Sequence, residues 1–175
     1  MRPTEEGRTA LVRRGPDGPP EDVTPPGHNA RTRVHEYGGG AYTVHNGIVY
    51  FAEFTDQRLY RHRPGEPPLP ITPEPAVPAG DRYADLAFGP DFLVCVRERH
   101  GEGEATNELV RLPLGGGEPE VIAGGHDFFA SPRLSPDGRT LAWLAWDHPN
   151  MPWNGTGLWL ADMDPGGRPG DPRLV

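Results

Sequence analysis

Seven histidines, two serines, one cysteine and 25 acidic residues are the side chains of this 175-residue sequence that could do chemistry. The histidines, His28, His35, His45, His62, His100, His126 and His148, show no ligand spacing of the His-Glu-x-x-His kind, so neither a metal centre nor a cofactor is expected. Ser131 in Ala130-Ser131-Pro132 and Ser135 in Leu134-Ser135-Pro136 both lie outside a Gly-x-Ser-x-Gly elbow. No catalytic residue is therefore assigned. Cys95 has no partner for an internal disulfide, and its neighbours Leu93, Val94 and Val96 mark a buried thiol. All 17 basic residues are arginine, which removes lysine chemistry.

What remains is a set of polar and aromatic residues suited to contact: Arg33, His35, Glu36 and Tyr37 in one segment, Asp127 in a second, and Asp147, His148, Asn150 and Trp153 in a third. Two readings stand open for them. In the structural one, Tyr37 packs between sheets while the imidazole and carboxylates bond backbone groups. In the other, Arg33, His35 or Glu36 lines a cavity and touches a peptide terminus or a neighbouring domain, and the 147–153 loop does the same, as long loops in compact domains often do.

The elements that must position these residues repeat. Leu11-Val12-Arg13-Arg14, Leu59-Tyr60-Arg61-His62, Leu109-Val110-Arg111-Leu112 and Trp159-Leu160-Ala161-Asp162 recur at intervals of 48 to 50 residues, each followed by a Gly/Pro turn and a short aliphatic run. Upstream of the last three lies a second hairpin pattern, in which Ile48–Phe51, Leu93–Val96 and Leu141–Leu144 follow turns rich in Gly, Asn and Asp. Four short antiparallel strands per repeat predict an all-β fold, a partial β-propeller of about three and a half four-stranded blades. No apolar run is long enough for two helical turns before Gly or Pro interrupts it.

The expected units are 1–24, the outer two strands of a blade, and whole blades at 25–72, 73–123 and 124–175. Such a set does not close, so the chain reads as a piece of a longer protein whose free sheet edges should make it self-associate in isolation. In each blade the loops leading in from the previous blade and those joining strands two and three share a face. They hold Arg31 to Tyr37, Asp81 to Tyr83, His126 to Phe129, Glu53 and Asp56, Arg97 to His100, and Asp147 to Trp153.

A formal charge of −8 argues against nucleic-acid binding. No run approaches a membrane span and no apolar leader opens the sequence, which makes a cytoplasmic location the expectation. Gly and Pro number 24 and 23, a content that would suggest disorder were it not periodic.

Three segments carry a resemblance: Thr32-Arg33-Val34-His35-Glu36-Tyr37-Gly38-Gly39-Gly40, Ser135-Pro136-Asp137-Gly138, and Trp146-Asp147-His148-Pro149-Asn150-Met151-Pro152-Trp153. The sequence resembles the N-terminal propeller of bacterial prolyl oligopeptidase family serine peptidases, in the acylaminoacyl-peptidase and dipeptidyl-aminopeptidase-like branch. The resemblance implies further blades and a C-terminal α/β-hydrolase domain carrying Ser, Asp and His, with the propeller admitting peptide substrates by size. Since this chain has no serine to match that nucleophile, it should not hydrolyse peptides by itself. The Ser-Pro-Asp-Gly turn is shared with TolB-like propellers, so a protein-interaction module without a peptidase domain is the alternative. A lactonase-type metal enzyme would draw ligands from more blades than this chain has.

Overall fold

The structure is a computed structural model, and it describes the backbone of Arg2 and Pro3 and all of residues 7–175. Among these residues every regular element is a strand, so no helix is long and apolar enough to cross a membrane. Two short pairs come first: β1 (Arg2–Pro3) with β2 (Thr9–Ala10), and β3 (Val12–Arg13) with β4 (Glu21–Asp22). Three antiparallel four-stranded sheets follow, each in chain order. Sheet one holds β5 (Tyr42–His45), β6 (Ile48–Ala52), β7 (Leu59–His62) and β8 (Leu69–Pro70). Sheet two holds β9 (Asp81–Phe88), β10 (Phe92–Arg99), β11 (Thr106–Pro113) and β12 (Glu120–Ala123). Sheet three holds β13 (Phe128–Leu134), β14 (Thr140–Trp146), β15 (Gly157–Asp162) and β16 (Arg173–Leu174).

Local chemistry explains the hairpins. Asn46 and Gly47, at φ of 49° and 75°, form the two-residue turn between the paired His45 and Ile48. Asn and Gly tolerate positive φ, and the twist of such a turn matches that of the strands it joins. Asp137 shapes the β13–β14 turn by accepting the Ser135 hydroxyl at 2.6 Å and the Arg139 N–H at 3.1 Å.

Packing between sheets supplies the core. Leu11, Ala30, Val49 and Phe51 join the first strands to sheet one. Tyr50, Leu59 and Ile71 meet Leu93, Cys95, Val110 and Leu112 of sheet two, whose other face, with Val94, Val96 and Leu109, packs on Phe129, Leu141, Trp143 and Ala145 of sheet three. Because sheet two is covered on both sides, β10 is buried from Phe92 to Glu98 with no alternation. Sheet three is covered on one side only, so along β14 Leu141, Trp143 and Ala145 are buried while Ala142 and Leu144 between them are half-exposed. Full burial of each such aliphatic side chain contributes roughly 1.5–3 kcal/mol.

The first strands of the three sheets, β5, β9 and β13, lie side by side. Pairing registers shift in sheets two and three opposite Asp85 and Ser131, which adopt φ of 56° and 52°. The Asp85 carboxylate accepts the Gly40 N–H at 2.6 Å and the Ser131 N–H at 2.8 Å, while its own N–H donates to the Gly40 carbonyl at 2.8 Å. One side chain thus ties three sheets together. A Cβ on Gly40 would come within 2.8 Å of Asp85 Oδ1, so a larger residue there would displace the carboxylate.

Several residues expected in loops belong to strands. Asp81 to Tyr83 begin β9, Phe128 and Phe129 begin β13, and Arg97 to Arg99 end β10. The reason is that β11 pairs along the full length of β10, as far as Arg99 opposite Thr106. Arg97 faces Glu108 across that pair, its Nη2 2.5 Å from the carboxylate. Tyr37 does not pack between sheets and is 67% exposed, because the left-handed turn at His35 and Glu36 carries the segment outward.

Candidate functional site

A cleft of about 660 Å³ opens where the 33–40 segment, the ends of β10 and β11, and the loops flanking β13 and β14 converge. Its walls include His35, Glu36, Glu98, His100, Glu104, Asn107, Asp127, Phe128 and His148. Of the nine residues singled out from the sequence, His35, Glu36, Asp127 and His148 therefore share it. The other five do not line it. Arg33 turns its guanidinium over the Phe54 ring at 4.4 Å, Asp147 anchors a loop, Asn150 packs against Gly155 within its own turn, and Tyr37 and Trp153 face solvent.

Glu98 organises one wall. Only 4% exposed, its carboxylate accepts the His35 N–H at 2.7 Å, lies 3.0 Å from Arg82 Nη1, and meets His100 Nε2 at 2.6 Å. Arg82 Nη1 also reaches Glu36 at 2.6 Å, so one guanidinium bridges a buried carboxylate and an exposed one. That contact holds the Glu36 carboxyl below the usual carboxylate range. Glu36, Glu98 and His100 each bring a possible ligand atom within 4.8 Å of the others. A cation is already bonded to both carboxylates, and the group is an ion-pair network.

The opposite wall is built by two crossed imidazole–carboxylate pairs. His126 Nδ1 meets Asp147 at 2.8 Å while the Asp127 N–H donates to the other Asp147 oxygen at 2.8 Å. In turn His148 offers both its backbone N–H and its Nδ1 to Asp127, at 2.8 and 2.9 Å. These bonds hold both carboxyls below their ordinary values.

Half of this wall is a repeated device. At the equivalent place before sheet one, His28 Nδ1 lies 3.1 Å from Glu53, which also accepts the Asn29 N–H at 3.0 Å. His28, Asn29 and Glu53 thus match His126, Asp127 and Asp147, and in both sheets the carboxylate after the second strand fastens the incoming loop. The Asp127–His148 pair has no such counterpart: where His148 binds a carboxylate, the Phe54 N–H donates to the Asn29 carbonyl at 2.9 Å. Asp127 and His148 are what the third sheet adds to the repeat.

Aromatic rings floor the cleft. Phe128 stacks on Trp146 at 5.3 Å, and His35 meets both edge-on at 5.2 and 5.6 Å. Burial lowers the His35 pKa, more strongly than nearby Glu98, the Asn107 side chain and Asp85 raise it. Sequence reasoning placed Glu98 on this face only as a loop residue outside the nine candidates, and missed Asn107, because both lie inside strands. A carboxylate in an otherwise buried run was the available signal.

Such sheets, packed face to face in chain order with a charged and aromatic cleft at one end, define a partial all-β propeller. The chain matches the N-terminal part of a prolyl oligopeptidase family peptidase. It is similar over 99% of its length, at 40% identity and a TM-score of 0.87, to a puromycin-hydrolyzing peptidase of Mycobacterium tuberculosis. It is likewise similar over 99% of its length to a puromycin hydrolase, at 39% identity and a TM-score of 0.88. In both cases it spans 29% of the length of the matched chain. No family model matches the sequence, and no curated protein does.

Proposed function

We propose that these residues form the non-catalytic, substrate-admitting propeller portion of a cytoplasmic prolyl oligopeptidase family serine peptidase. Chemistry would be carried by a C-terminal α/β-hydrolase domain outside this chain. The observation that carries the reading is 40% identity along 99% of the chain against 29% of a much longer peptidase. The serines agree with it. Ser135 gives its hydroxyl to Asp137, and Ser131 sits in the β13 bulge, where its N–H is bound by Asp85. Neither stands in a nucleophile elbow.

In this reading the cleft lines the path of the substrate. Glu36, Glu104 and Asp127 line it with acceptors for the N–H groups of a peptide, and Phe128 offers an apolar surface to its side chains. The similar structures are described as hydrolysing puromycin, so aminoacyl amides are the first substrates to try.

Expression of this chain and of the full reading frame that encodes it, side by side with a fluorophosphonate probe and aminoacyl chromogenic substrates, tests the proposal. Labelling and turnover in the longer product alone are expected. Turnover by the short chain, or silence in both, would overturn it.

A further inference from the structure

His35 and Asn107 each bury a polar atom that makes no hydrogen bond, and the two atoms are complementary. They are His35 Nε2 and Asn107 Oδ1, on side chains that interact, and Asn107 as a whole is only 6% exposed. The Asn107 amide nitrogen is engaged by the Asp127 carbonyl at 2.8 Å, so this side chain links β11 to the loop entering sheet three. His35 is equally constrained. Its φ is +54° and that of Glu36 is +64°, a conformation that costs each non-glycine residue about 1 kcal/mol or more. The turn is held by the bond from the His35 N–H to Glu98 and by a 2.8 Å bond from the Gly38 N–H to the Val34 carbonyl. The ring itself is wedged among Tyr37, Phe128 and Trp146.

We infer that His35 is the positioning residue of the cleft, a latch that holds the 33–40 wall shut while its ring is neutral and releases it when the ring is protonated. The charged groups around it leave an imidazolium without a partner. On β10, Glu98 already serves the His35 N–H, Arg82 and His100. On β9, both Asp85 oxygens are taken by the Gly40 and Ser131 N–H groups, and Arg82 is itself a cation. On its own segment Glu36 is bonded to Arg82, Arg33 points to Phe54, and Tyr37 is a neutral phenol. Across the cleft Asp127 is bonded to His148, whose ring lies on Phe128, and Glu104, on the loop before β11, is exposed to solvent. The uncharged Asn107 oxygen is what remains.

The direction follows from linkage. A ring that burial keeps neutral takes up its proton less readily in the closed wall than in an opened one, where it titrates near 6.5. Acid below that value therefore favours the open wall, and the closed state has its full stability above it. The latch is a property of the wall itself and stands whether or not the cleft receives a peptide.

The experiment is amide hydrogen exchange on this chain at about pH 7.5 and about pH 5.5, corrected for intrinsic rates, with an NMR titration of the His35 ring. Protection of the Gly38 and His35 amides is expected to fall about tenfold relative to the amides of β10 as the pH drops. In His35→Phe, which fills the same space without titrating, that fall should vanish. In Asn107→Asp, which places a carboxylate beside Nε2 and so favours the protonated ring in the closed wall, it should shrink or disappear. A wall whose protection ignores pH, an equal fall in His35→Phe, or a ring midpoint at or above 6.5 would overturn the inference.

Discussion

Asp85 and Ser131 occupy the same bulge position in consecutive sheets, and the carboxylate of the first accepts the backbone N–H of the second at 2.8 Å. With its other oxygen on Gly40, Asp85 adds side-chain bonds to the backbone bond that its own N–H makes to the Gly40 carbonyl. Asp85→Ala should lower stability by roughly 3 kcal/mol, as expected for two charge-assisted bonds lost, and Asp85→Asn by about half of that. Urea unfolding midpoints check this, and an unchanged midpoint for Asp85→Ala would show the staple to be idle.

Arg82 and Glu98 form a pair that is costly to split. Arg82→Met leaves a buried carboxylate supported only by an N–H and an imidazole, and should destabilise by about 3 kcal/mol. The double change Arg82→Met with Glu98→Gln should cost less than Arg82→Met alone. Equal losses in the two variants would mean that the charge of Glu98 is compensated by other groups.

Asp127 and Asp147 both ionise more readily than ordinary aspartates because each accepts a backbone N–H and an imidazole. A depressed carboxyl stabilises the fold above the value of the unfolded chain, near 3.8, and that contribution is lost as the pH falls through the native value. Asp147→Asn should therefore flatten the acid limb of the stability curve. Thermal melts of both proteins from neutral pH down to about 3 supply the comparison, and parallel curves would count against it.

Leu144 and Leu158 are cross-strand partners on the uncovered face of sheet three, in the register where sheet two places Val96 and Leu109. The latter pair is fully buried by sheet three, whereas Leu158 is 41% exposed. An uncovered aliphatic face should make the chain associate at micromolar concentration, and Leu158→Glu with Leu144→Glu should dissolve the assembly. Sedimentation velocity distinguishes the outcomes, and a wild-type monomer at all concentrations would remove the premise.

Cys95 is fully buried, and burial pushes its thiol well above the usual range. It should resist a thiol reagent in the folded chain and react completely in denaturant, so that its labelling rate reports global opening. Rapid labelling under native conditions would contradict the packing of sheets one and two around it.

The repeat was legible in the sequence because turn chemistry and strand length are local properties. Asn46-Gly47 between two strand-like runs calls for a tight hairpin, and the four-strand unit followed from the recurrence of such turns and runs. The strand ends were less so. Arg97, Glu98 and Arg99 read as a charged loop, but the ladder with β11 continues through them to Glu108, Asn107 and Thr106, and where a ladder stops is not written in the residues on one strand. The polarity of these residues was also misleading about burial. Arg97 finds Glu108, and Glu98 finds Arg82, His100 and the His35 N–H, so ionic groups enter the interior with their partners already in place.

The sequence by itself determined the all-β class, the period of the sheets, the absence of a nucleophile elbow and the segments from which a binding face could be built. Each of these depends on the identities of residues close together in the chain. The tertiary structure decided which candidates meet. His35, Glu36, Asp127 and His148 converge because Asp85, Glu98 and Asn107 join segments 20 to 63 residues apart, while Arg33, Tyr37, Asn150 and Trp153 are turned away by local turns. Only in three dimensions does the match between His28 with Glu53 and His126 with Asp147 emerge, since the two pairs share a position in the repeat and no sequence motif. That match separates the fastening common to the sheets from the Asp127–His148 pair that is particular to the cleft.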